Sequence, residues 1–79
     1  MKLKIKKKTT LGELPAGSLF LSEDMSTLGM KSEYHTGSGA CEAFIVGSGE
    51  MFWGGVSSGP AQQALVVFEV KVTDKKNLS

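Results

Sequence analysis

One histidine and one cysteine are the residues of this chain best suited to nucleophilic or metal chemistry, and their setting limits both. His35 stands in a glycine turn, with Glu33 two residues before it and Cys41 six residues after it. A structural zinc site takes four ligands in paired spacings, which one His and one Cys do not supply. A Cys–His nucleophilic pair needs a third group to orient the base, and none is evident. Gly37-Ser38-Gly39 and Gly47-Ser48-Gly49 invite a phosphate-cradle reading. Neither leads into a helix or a Lys-Ser/Thr pair, as a phosphate-binding loop requires. Glu42, Glu50 and Glu69 could meet across strands, but a solvated sheet face explains such acids without catalysis. The reading is of a non-enzymatic protein with no metal and no cofactor. Cys41 reads as a small buried hydrophobe, and a single cysteine excludes an internal disulfide.

Binding chemistry has better candidates. Lys2, Lys4, Lys6 and Lys8 stripe the first segment and offer contacts to a polyanion, sequence-independent and salt-sensitive. The chain has no arginine, the residue preferred for bidentate phosphate and base recognition, which argues against sequence-specific reading of nucleic acid. Phe20, Tyr34, Phe44, Phe52, Trp53 and Phe68 could stack bases, yet a domain this small needs most of them for its core. Alternation sets Phe52 and Trp53 on opposite faces. Phe44, Val46 and Phe52 are therefore the expected core, and Trp53 the expected outward contact, extended by Leu65 and Val67.

The elements that position these residues are short. Lys2–Lys8 begins with period-two alternation, Leu3 and Ile5 on one face and Lys2, Lys4 and Lys6 on the other, the pattern of a half-buried strand whose lysines suit a sheet edge. Thr10-x-x-Glu13 matches a capping box, so one helical turn is expected near residues 10–14, stopped by Pro15 and dropping Leu11 and Leu14 onto the core. Strands follow at 18–22 and 28–34, where Gly29 signals a bulge or a close backbone approach. Residues 40–55, ACEAFIVGSGEMFWGG, read as a hairpin around Gly47–Gly49 and as the apolar centre of the chain. Residues 54–63, GGVSSGPAQQ, read as a flexible loop. Residues 64–73 form the strongest strand, apolar on both faces in its first half, which places it centrally or against a second chain. Residues 74–79 read as a polar tail. The expectation is one mainly β domain over 1–79, a small antiparallel barrel or sandwich of about six short strands.

Seventy-nine residues make a single small domain, which buries only about 60–65% of the surface its unfolded chain exposes. The net charge of +1 hides a segregation: residues 1–8 hold five lysines and no acid, while seven of the eight acids lie between residues 13 and 69. If the first and last strands pair, their lysines gather in one patch. No apolar run approaches the ~20 residues of a membrane span, and no signal-peptide core follows the basic start, so the expected location is the cytoplasm.

Leu11-x-x-Leu14-Pro15-x-Gly17-x-x-Phe20, then Met30-Lys31-Ser32, then Ala43-Phe44-Ile45-Val46 followed by Gly49-Glu50-Met51-Phe52, resembles a family of very small phage-encoded proteins also seen in prophage regions. The resemblance spans roughly residues 9–72. It implies a compact β-fold and a phage or prophage origin, hence the cytoplasm of a host cell, and it implies no activity. The lysine-rich first strand and the 54–63 segment depart from the family pattern. The functional expectation is an accessory protein acting through protein–protein contacts, self-associating into a homo-oligomer and binding host or phage proteins. Non-specific single-stranded nucleic-acid binding is the alternative, and no membrane is expected as a partner.

Overall fold

The computed structural model describes residues 2–73; the expected tail at 74–79 lies outside them. The chain runs β1 (Leu3–Thr10), β2 (Leu19–Ser22), β3 (Leu28–His35), β4 (Cys41–Ile45), α1 (Gly59–Gln63) and β5 (Val66–Val72). The strands make one antiparallel sheet in the order β1-β5-β2-β3-β4. The mainly β expectation is met with five strands, not six. Met51 contributes only an isolated bridge to Phe44, so the second arm of the 40–55 hairpin is not a strand. The sheet is open, with β1 and β4 as its edges, so closure into a barrel is not seen.

Each strand's place follows from its side chains. β1 carries the lysines, and an edge is where charge guards unpaired backbone groups. β5, apolar on both faces in its first half, lies between β1 and β2. The first and last strands therefore pair, from Leu3 opposite Val72 to Thr10 opposite Val66, with a bulge at Lys6.

One side of the sheet carries the core. Phe20 of β2 stands opposite Gly29 and Glu69. Its ring meets Phe52 edge-to-face with centroids 5.1 Å apart, an arrangement worth about 0.5–1.5 kcal/mol beyond area burial. A Cβ on Gly29 would sit 2.5 Å from Phe20 Cζ, so Gly29 marks a close approach of backbone to ring. Leu11, Leu14, Cys41, Ala43 and Val67 complete the cluster. The turn at 10–14 forms as expected. The Glu13 and Leu14 amides donate to the Thr10 carbonyl, and the Glu13 amide also meets Thr10 Oγ1 at 3.3 Å.

Two features depart from expectation. Within the segment expected to be a loop, Gly59–Gln63 is helical: Ser58 Oγ caps the Ala61 amide, and Pro60 sits in the first turn, where its missing N–H costs nothing. Phe44 and Val46, expected in the core, are exposed instead, at 38% and 49%. The alternation of β4 gives the core side to Cys41, Ala43 and Ile45. Ala43 lies opposite Lys31, where a large ring would meet the lysine stem.

Candidate protein-contact surface

The other side of the sheet is apolar, and no element among the described residues covers it. Cross-strand partners share a face, so one row can be followed from edge to edge: Ile5, Val70, Leu19, Met30, Phe44 and Met51. Every member is hydrophobic. A parallel row holds Lys8, Phe68, Leu21 and Leu28. Val70 at the centre of the first row is buried, yet it is not part of the core cluster. Ile5 at 44% and Met30 at 48% exposure are uncovered, as is Phe44. With the half-buried leucines and valines between them, these leave a contiguous apolar surface in solvent, a feature that marks contact sites on soluble proteins. The turn at 10–14 and α1 serve the core side: Leu11 and Leu14 join the core cluster, and Gln62 bonds the backbone of Cys41 and Phe52.

The expected contact residues fall elsewhere. Val67 is fully buried in the core, which corrects the expectation that it points outward: Val67 and Glu69 take the core side of β5, and Phe68 and Val70 the open side. Leu65 is half-buried and packs against the core. Trp53 is half-buried, outside the rows of the open face.

The lysines are re-sorted by the bulge. Lys4 lies opposite Lys71, and Lys7 opposite Glu69, so these share Glu69's side of the sheet. Lys6 reaches the same side, its Nζ 3.4 Å from Glu69 Oε2. Lys8 stands opposite Phe68, on the open face. Lys2 is exposed, its carbonyl accepting from the Thr73 amide.

The chemistry candidates separate as well. His35 and Cys41 become cross-strand partners. Cys41 is nonetheless fully buried, its thiol 3.9 Å from the Leu11 carbonyl, while His35 is exposed. β2 and β3 lie between Glu42 on β4 and Glu69 on β5. Among the described residues no three His, Cys, Asp or Glu side chains are grouped to hold a metal ion. No helix among them is long and apolar enough to cross a membrane.

A groove of about 500 Å³ lies between the β2–β3 turn and Phe52, Gly54, Leu65 and Val66. Asp24 is on its rim. Asp24 Oδ1 accepts from Ser22 Oγ at 2.6 Å, Ser26 Oγ at 2.7 Å and the Ser26 amide at 3.0 Å. These bonds favour the ionised form and hold the carboxyl below the ordinary range, at about 2.

Three buried polar or charged side chains were missed by sequence reasoning: Glu69, expected on a solvated sheet face, is only 6% exposed on the core side of β5 beside Lys6, and Lys31 and Gln62 are buried as well. Lys31, 5% exposed, donates to the carbonyls of Leu14 at 2.6 Å and Gly12 at 3.1 Å. Gln62, fully buried, bonds three backbone groups. Its signal was legible: Ser58-Gly59-Pro60 is a helix start, and a helix would carry a side chain inward.

No family model matches the chain, and no curated protein and no solved structure matches it.

Proposed function

We propose that this is a non-enzymatic accessory protein of the phage kind, cytoplasmic in its host, that works by protein–protein contact and self-associates through the open face of its sheet. The observation that carries the reading is the uninterrupted apolar row Ile5–Val70–Leu19–Met30–Phe44, whose outer members stand in solvent. An apolar sheet face is stable when buried against another element, and the described residues cover only one of the two apolar faces. A second copy covers the other: two such faces, packed about 10 Å apart, form a sandwich from two open sheets. Lys8 lies on the β1 edge of the face, where each copy can keep it in water.

Size-exclusion chromatography with light scattering tests this. The wild type should run as a dimer, and Met30→Ser/Phe44→Ser as a folded monomer. A wild type that remains monomeric at millimolar concentration rejects self-association.

A further inference from the structure

The side of the β1–β5 pair facing away from the apolar rows carries a second, independent surface. Lys4 and Lys71 are direct cross-strand partners, and like charges placed opposite one another destabilise a sheet. The bulge adds to the crowding: it sets both Lys6 and Lys7 beside Glu69. Within β1 and β5 four lysines thus share one side with a single carboxylate, and Lys6–Glu69 is the only ion pair among the described residues. Strict alternation would have divided Lys6 and Lys7 between the two faces. The bulge unites them, at the cost of one ladder position.

We propose that Lys4, Lys6, Lys7 and Lys71 form a binding site for the phosphodiester backbone of a nucleic acid, engaged without reading its sequence. Lysines are point charges suited to phosphate, and no arginine is present to fork onto a base edge. A polyanion offers several phosphates at once, which suits four cations spread over two strands. An anionic membrane surface fits less well. It would take apolar side chains alongside the lysines, whereas Leu3, Ile5 and Val72 belong to the opposite face. The site differs from a simple alternating stripe, because Lys7 and Lys71 belong to it and Lys8 does not.

Fluorescence anisotropy with a labelled 20-nucleotide oligo(dT) tests the site. With four phosphates neutralised, affinity should fall about 50-fold between 50 and 200 mM salt. Lys4→Gln/Lys71→Gln and Lys7→Gln should each weaken binding and flatten the salt dependence by about 0.7 unit of slope per lysine removed, as for a single strand, while Lys8→Gln changes neither. The Lys4→Gln/Lys71→Gln variant should melt no lower than wild type, since it relieves repulsion as it loses ligand. Absence of binding at 50 mM salt overturns the proposal. So does equal weakening by Lys8→Gln and Lys7→Gln, or binding to phosphatidylserine vesicles without binding to the oligonucleotide.

Discussion

The Gln62 side-chain amide pairs with the backbone of Cys41 as a neighbouring strand would: Oε1 accepts from the Cys41 amide at 2.7 Å, and Nε2 donates to the Cys41 carbonyl at 2.8 Å. Nε2 also donates to the Phe52 carbonyl at 2.9 Å, so one side chain fastens α1, β4 and the segment after the hairpin turn. Gln62→Ala leaves three buried backbone groups without partners. Each such group costs about 1–3 kcal/mol. The expected loss is about 3 kcal/mol or more, a large share of the stability of so small a domain. Urea unfolding measures it, and a loss below ~1 kcal/mol would contradict the bonding described.

Lys31 holds the 10–14 turn against β3 through the Leu14 and Gly12 carbonyls. Lys31→Met keeps the stem and removes the donor. Hydrogen bonds to charged groups contribute about 1.5–3 kcal/mol, so a loss of about 2 kcal/mol is expected. Amide exchange should show the effect concentrated at residues 11–17. Uniform loosening of the whole domain would argue against a local clamp.

Gly29→Ala forces a methyl into the Phe20 ring. Phe20 is fully buried and braced by Phe52, so it has little room to yield. Overpacking of this kind costs about 1–3 kcal/mol. Adding Phe20→Leu should recover part of that loss, because residues in contact couple energetically. Strict additivity in the double-mutant cycle would show that the two sites do not touch.

Asp24 gives a pH signature with a definite sign. Its carboxyl is held at about 2 in the fold, below its unfolded value. Its stabilising contribution is therefore complete above the unfolded value near 4 and is lost as pH falls towards 2. Full exposure keeps the effect small. Asp24→Asn should lower the urea midpoint at pH 6, and the gap to wild type should close between pH 4 and pH 2. A gap that stays constant over that range would exclude the hydroxyl–carboxylate bonds as its source.

The sheet was largely legible because its determinants are local. Lysine alternation marked an edge, the two-sided apolar run Ala64–Phe68 marked a central strand, and Thr10-x-x-Glu13 marked the turn. The phase of a strand is set otherwise. Ala43-Phe44-Ile45-Val46 is apolar without alternation, so nothing local says which residues face the core. Long-range partners decide it: Ala43 fits opposite Lys31, and Phe44 is left to the open face. The same ambiguity sent Val67 outward in the sequence reading. The bulge at Lys6 has no glycine to announce it. The buried roles of Lys31 and Gln62 likewise depend on carbonyls 10 or more residues away along the chain.

The pairing proposed for the apolar row fixes which side chains meet across two copies. Intermolecular NOEs in a mixed sample of labelled and unlabelled chains test it most directly. Pairing through this row puts the Met30 methyl of one copy against the Ile5, Leu19 or Phe44 side chains of the other, and those contacts are expected. A dimer whose intermolecular contacts lie instead at Trp53 and Leu65, with Met30 and Phe44 still in solvent, would contradict it.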